Sequence, residues 1–421
     1  MKKTLIVIAV LVLSRVPLAA WETRILGFYR GVFQSFRESV FNPGNTSVEF
    51  LALGQGPHYT LTQFAGLSFK ALALDWRIGV SAKAVKSPGR QWETDLTVHE
   101  FYVQKDLAGR WSLLAGRSIQ RWGTGYAFNP TDVIGPAKEL NDPDNNEKRA
   151  VGNDLLKVEY FGDSFSIALC GLAPPGGWAK LGQEGARLAF RAYADIRHVD
   201  LSLVALFTPG KSSFWGLNFA TTVGARLEIH GEIGLQRGSY EQYHPASQGE
   251  MALYAADPVG QMKRTDPRIY LQVLLGFHYT LPGNILWVSE VYHRDQGYSP
   301  AEWEGVIKYL SFLDSLREKE VEDVLLSNRC WCLQVFSASG AMQNYWMNHL
   351  RIPFFKKAGL TATHLWNLAD FGFVLIPEVT LSAGDHFTFY LKSYIFQGRT
   401  TSEFGSFFQS SAVEAGLRLI L

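Results

Sequence analysis

Hydrophobic and polar residues alternate along most of this chain. Between Asp75 and Lys86, Trp76, Ile78, Val80, Ala82 and Ala84 share one face, and Arg77, Ser81 and Lys83 share the other. Leu227, Ile229, Ile233 and Leu235 oppose Arg226, Glu228, His230, Glu232 and Gln236. Ile269, Leu271, Val273, Leu275, Phe277 and Tyr279 oppose Arg268, Tyr270, Gln272 and His278, and Phe387, Phe389 and Leu391 oppose His386, Thr388, Lys392 and Tyr394. Successive side chains of an extended chain point to opposite faces, so each segment predicts a strand with one apolar and one polar side. A soluble sandwich shows the same alternation over roughly five or six residues per strand. These segments are longer and match the ~10-residue strands that cross an outer membrane. The pattern predicts an all-β fold, a single transmembrane antiparallel β-barrel. A secreted soluble β-protein is the alternative.

The links between segments extend this reading. Short links fall at Ala383–Asp385, Leu281–Asn284, Gly162–Asp163 and Asp106–Arg110, and long ones at about 122–153, 239–267 and 295–342. Counted back from a descending last strand, every short link lands on the periplasmic side and every long one outside, as barrels of this class require. The count is about 18 strands, with 16 next. Residues 46–55 are either an extra strand or part of an outer loop. Val413, Ala415, Leu417, Leu419 and Leu421 alternate to the last residue. This ending resembles the closing strand of bacterial outer-membrane barrels, which carries their assembly signal. That resemblance implies barrel-assembly machinery, outer-membrane lipid and lipopolysaccharide as partners. Leu421 stands where that family most often has an aromatic residue.

Charge and composition then set the compartment. The chain has 421 residues, with 40 basic and 39 acidic side chains, a balance that argues against a nucleic-acid binder. Lys2 and Lys3 precede an apolar run from Leu5 to Leu13, and Ala19 and Ala20 follow it. This is the layout of a secretory signal peptide over residues 1–20, and the run is well below the ~20 residues of a spanning helix. Loss of Lys2, Lys3 and Arg15 with that segment leaves 37 basic residues against 39 acidic ones, a formal charge of −2. The barrel then occupies 21–421 as one domain, with an outer-membrane location. In the longest loop, Val306, Leu310, Leu313, Val321 and Val324 recur at three- and four-residue spacing between Trp303 and Leu326. They predict a helix, either packed at the barrel mouth or acting as a gate or partner surface.

Residues 116–132 carry the most specific signal. A strand bearing Arg117 and Arg121 runs into a Trp122–Gly123 corner and then the turn Asn129-Pro130-Thr131-Asp132. The pattern resembles a stretch of large porin-like barrels, including the alginate-export channel type and related families. The resemblance spans about 40 residues around this corner and implies a monomeric barrel of 16 to 18 strands with one loop folded into the lumen. The alginate type has a cationic lumen. Here the inward face is mixed, with Arg77, Lys83, Arg187, Arg191, Arg226, Arg268 and Lys392 set against Glu228, Glu232, Glu290 and Glu378, which argues against an anionic polysaccharide. Arg117, Arg187 and Arg191 are the leading candidates for solute contact, since a guanidinium pairs with carboxylates and phosphates through two hydrogen bonds. The same charges fit a static ion-pair network.

Other candidate chemistry is sparse. Asp142-Pro143-Asp144-Asn145-Asn146-Glu147 offers oxygen ligands but has Glu147 where a calcium loop needs glycine, so a solvated acidic loop is expected. Cys330 and Cys332 flank Trp331 and are either free thiols or a small disulfide ring. His99-Glu100 lacks the second histidine of a zinc-protease motif, and no nucleophile elbow or phosphate loop occurs. No catalytic residue, cofactor or metal is expected. The function expected is a channel for small or medium polar solutes. The alternatives are a barrel-embedded lipid-acting enzyme and a non-conducting barrel for envelope assembly or surface interaction.

Overall fold

A computed structural model describes residues 22–36, 58–71, 74–86, 91–136, 150–174, 185–209, 213–238, 243–249, 268–316, 340–355, 357–406 and 409–420. Among the described residues are eighteen antiparallel strands, numbered in chain order from β1 (Glu22–Phe36) to β18 (Gln409–Ile420). Each strand pairs with its neighbours in sequence, and β1 pairs with β18 from Leu26↔Ile420 to Phe36↔Gln409, so the sheet closes on itself. Closure leaves no edge with unpaired backbone groups, the condition for a sheet to sit in lipid. Among the described residues no helix is long and apolar enough to cross a membrane.

The predicted strands occur with the predicted faces. In β11 (Leu227–Arg237), Ile233 and Leu235 are exposed outward while His230 and Glu232 are buried inside. In β17 (Phe387–Gln397), Phe387, Phe389 and Leu391 face out and Lys392 faces in. The exposed outer face is dominated by large apolar side chains, which is stable only against hydrocarbon. Aromatic residues cluster where strands meet the short turns: Trp111, Phe161, Phe165, Trp287, Phe355 and Phe387. That is where an interface girdle sits.

Loop parity also holds. Two- and three-residue links join β4 (Glu93–Leu107) to β5 (Trp111–Ser118), β6 (Asn153–Phe161) to β7 (Phe165–Leu172), β8 (Arg187–Ile196) to β9 (Val199–Phe207), β12 (Ile269–Leu281) to β13 (Ile285–Arg294), and β16 (Phe373–Ala383) to β17. The opposite end carries the long links, at 119–152, 238–268 and 295–343. The segments 46–55, 142–147 and 330–332, and residues 1–20, lie outside the described residues.

The predicted helix forms as α1 (Pro300–Ser315). Ser299 caps it: its Oγ accepts from Glu302 N at 3.3 Å, while Glu302 Oε2 accepts from Ser299 N at 2.8 Å, a reciprocal capping box ahead of a proline at the first helical position. Trp303, Val306, Tyr309, Leu310 and Leu313 are buried. They pack on the turn at Pro245–Gln248 and on inward residues of the wall, and Trp303 Nε1 donates to Thr401 O at 2.8 Å. The helix is thus seated in the barrel mouth. Asp314 falls at its end, and the remainder of the predicted span lies outside the described residues.

Candidate functional site: a loop pinned across the lumen

The link between β5 and β6 turns inward. It explains an otherwise odd feature of β5 to β9, whose inner faces are partly apolar. Leu114, Leu155, Cys170, Ala189 and Val204 point into the barrel and are covered by Trp122 and Ile134 of this link. Burial of these rings and aliphatic side chains draws the loop onto one wall. The adjoining stretch of the wall then holds it by hydrogen bonds.

Two carboxylates make that second attachment. Glu232 of β11 accepts from the backbone N–H groups of Thr124, Gly125 (2.8 Å) and Thr131 (2.8 Å), and from the Thr131 hydroxyl at 2.8 Å. Glu290 of β13 accepts from Tyr126 N, from Ala127 N at 2.9 Å and from Phe128 N at 3.3 Å. A run of backbone donors converging on a carboxylate is an anion-holding arrangement, here filled by the protein's own wall. Asn218 of β10 (Ser213–Val223) adds bonds to Trp122 O at 3.0 Å and Thr131 Oγ1 at 2.7 Å. Tyr126 reaches His349 of β14 (Asn344–Phe355), with its hydroxyl 3.3 Å from Nε2. Within the loop, Asp132 accepts from Trp122 N at 2.9 Å and lies 3.6 Å from Arg121. The Trp-Gly corner and the Asn-Pro-Thr-Asp turn are therefore the two ends of one folded unit. Gly125 is needed for it, because a Cβ there would lie 1.9 Å from Phe128 O.

The loop's return end is fixed by a bulge. The β3 (Leu74–Lys86) to β4 register runs Gly79↔Glu100 then Val80↔Val98, so the ladder steps over His99 in a bulge. Its ring bridges Ser81 Oγ at 2.7 Å and Ala150 O at 2.6 Å, and its carbonyl accepts from Gly152 N at 2.9 Å. His99 is thus a buried structural group.

The structure distributes the sequence-predicted site residues over three environments. Glu232 and Glu290 are fully enclosed beneath the loop, with their oxygens committed to its backbone. Inside the barrel, Arg77 pairs with Glu100 at 3.1 Å, Lys392 lies 3.8 Å from Glu378, and Arg191 donates to Ser202 Oγ at 3.2 Å. Arg187 donates to Ala173 O at 3.4 Å, and Glu228 lies 3.9 Å from His278. Arg226 is exposed in the turn before β11, and Arg268 stacks over Tyr270 just ahead of β12. Lys83 is exposed on β3. Arg117 is a correction. On β5 it is Ser112, Leu114 and Ser118 that are buried inward, so Arg117 takes the outward parity of Leu113 and Phe101. There it forms a two-pronged pair with Asp154, at 2.7 and 3.0 Å. Leu114 is apolar yet inward, covered by Trp122, and that inverts the face expected for Arg117.

Some lumen residues escaped the sequence reading, Lys157 and Glu159 among them. Lys157 and Glu159 of β6 pair at 2.9 Å, and Lys157 also donates to Gln120 Oε1 of the inward loop at 3.0 Å. Their i, i+2 spacing on a strand is the signal that would have placed both on the inner face.

No protein-family model matches the chain, and no curated protein matches it. Solved structures do. OccK11 (OpdR) of Pseudomonas aeruginosa superposes with a TM-score of 0.56 at 10% identity, over 95% of this chain and 96% of that one. The fold is that of a porin-like outer-membrane β-barrel. OccAB1 of Acinetobacter baumannii gives 0.56 at 6% identity, over 95% and 96%. Pseudomonas aeruginosa OpdK with vanillate gives 0.52 at 8%, over 96% and 99%. At such identities the shared property is the porin-like barrel itself, and the lumen side chains must be read on their own terms.

Proposed function

We propose that this porin-like barrel is an outer-membrane channel for small or medium polar solutes. The observation that carries the reading is exposed charge on the inner face of a closed ring. Arg77 and Glu228 belong to the inward parity of β3 and β11, yet their side chains are 54% and 42% exposed. In a closed barrel an exposed inward charge needs a water-filled lumen. Further in, the charges are nearly covered and paired, at Lys392–Glu378 and at Lys157–Glu159, the latter beside the pinned loop through Gln120. A solute therefore passes from a wet vestibule at the short-turn end to a zone narrowed by residues 119–132. There, paired charges of both signs replace part of its hydration. The mixed lining favours zwitterionic or neutral polar solutes over polyanions.

Export through a cleaved segment at residues 1–20, folding by the barrel-assembly machinery and contact with lipopolysaccharide belong to this reading. No chemical step does. Liposomes containing the folded protein should swell in small sugars and amino acids at rates that fall steeply with solute size. Equal rates with protein-free liposomes would refute the proposal.

A further inference from the structure

Three residues on the lumen wall, Glu228, His230 and His278, form a group whose joint chemistry the channel reading does not use. Glu228 and His230 share the inner face of β11, and Glu228 pairs in register with His278 of β12. One ligand atom from each of the three lies within 4.8 Å of the other two. The His230 and His278 rings stand 5.0 Å apart, centroid to centroid. We propose that Glu228, His230 and His278 bind one divalent transition-metal ion of the zinc class.

The strongest support is the setting of His230. It is fully buried, and its Nε2 is held by Glu290 Oε1 at 2.9 Å. The other nitrogen, Nδ1, is buried with no hydrogen-bond partner. A buried polar atom left without a partner is costly, and metal ligation is one way to satisfy it. A carboxylate on the far nitrogen is what orients a ligating imidazole and raises its basicity. Gly276 makes this contact possible. A Cβ at that position would lie 2.5 Å from His230 Nε2 and 2.7 Å from Glu290 Cγ, so the absent side chain is the window through which the ring crosses β12.

The donor set selects the ion. Two imidazoles and one carboxylate suit zinc, cobalt, nickel or copper in the divalent state, whereas calcium and magnesium take oxygen ligands. Three protein ligands leave a coordination position open. Glu228 and His278 are partly exposed to the lumen, so water or a solute donor completes the shell from that side. The site also touches the pinned loop, because Glu290 holds the amides of Tyr126, Ala127 and Phe128 as well as His230.

The test uses the full chain, folded in detergent, without a polyhistidine tag and stripped with chelator. Equilibrium dialysis against zinc(II) should give one bound ion per barrel. Glu228→Gln and His278→Ala should each weaken binding by at least about tenfold, the lower range for disturbing a metal site. Heat-modifiable electrophoretic mobility reports that each variant is folded. Amide exchange at 126–128 should slow with zinc in the parent protein and not in the variants. Zinc uptake unchanged in both folded variants, or no uptake by the parent, would overturn the proposal. If neither variant folds, cobalt(II) added to the parent decides. Ligand-field bands of a four- or five-coordinate nitrogen–oxygen site support it, and the spectrum of the hexaaqua ion overturns it. Because the readouts are uptake, exchange and absorption, they stand or fall separately from solute passage.

Discussion

Glu232→Gln is the perturbation that tests the loop attachment most sharply. The amide keeps the shape of the carboxylate but turns one of its two acceptor oxygens into a donor. Oε1 accepts from the Thr124 and Gly125 amides and the Thr124 hydroxyl, and Oε2 from the Thr131 amide and hydroxyl. Whichever way the new amide turns, at least two groups lose a carboxylate acceptor and face N–H groups instead. Hydrogen bonds to a charged partner contribute about 1.5–3 kcal/mol each. For two such bonds the loop attachment should therefore weaken by about 3–6 kcal/mol. At 1.4 kcal/mol per decade this raises local opening by at least about 100-fold. Hydrogen exchange followed by mass spectrometry reads it directly. Peptides covering 122–132 should lose about two or more decades of protection, while strands β14 to β17 keep theirs. Because Asn218 and the Trp122–Ile134 cover remain, the loop should stay near the wall and the barrel should stay folded. Unchanged protection at Gly125 and Thr131 in a folded variant would show that the carboxylate is not what holds the loop.

Other consequences follow from the same geometry. Gly276→Ala forces a methyl against His230 and Glu290, and overpacking of this kind costs about 1–3 kcal/mol; exchange at 126–128 should rise, and no rise would refute the window. Leu310→Ala removes a fully buried contact of α1, with a local loss of about 2–5 kcal/mol, so α1 amides should exchange faster while the strands do not. Glu403, buried in α2 (Glu403–Ser406), is raised from 4.5 to about 7, first by desolvation and against the bonds it accepts from Ala341 N, Tyr345 and Asn367. The folded state thus holds a proton that the unfolded state releases above pH 4.5, so this contribution, on the order of 3 kcal/mol, is present at low pH and is lost as pH rises to about 7. Intrinsic-rate-corrected exchange of 340–345 and 399–406 should speed up over that window, and a flat profile would contradict the assignment. Arg77→Gln frees Glu100, and a unit charge acting through water over ~4 Å contributes about 1 kcal/mol, so reversal potentials should shift toward cations by at most about fivefold in permeability ratio.

Much of the barrel was legible because alternation is a local property. Ile233 and Leu235 against Glu232, or Phe389 and Leu391 against Lys392, place themselves without knowledge of any partner strand. Loop parity then followed from counting. What alternation does not encode is what covers an inward face. Glu232 and Glu290 read as lumen charges and are inward, but their oxygens meet a loop whose donors lie 101 to 164 residues away in sequence. Arg117 was misplaced for the complementary reason: Leu114 is apolar yet inward, since Trp122 and Ile134 shield it from water. His230 and His278 are 48 positions apart and meet only through the β11–β12 register.

Single-channel recording in a planar bilayer reads a water-filled lumen and the loop that narrows it in one experiment. The parent protein should give discrete, steady conductance steps, and Glu232→Gln should give larger or noisier ones. A folded, heat-modifiable barrel that inserts without any conductance would contradict the account.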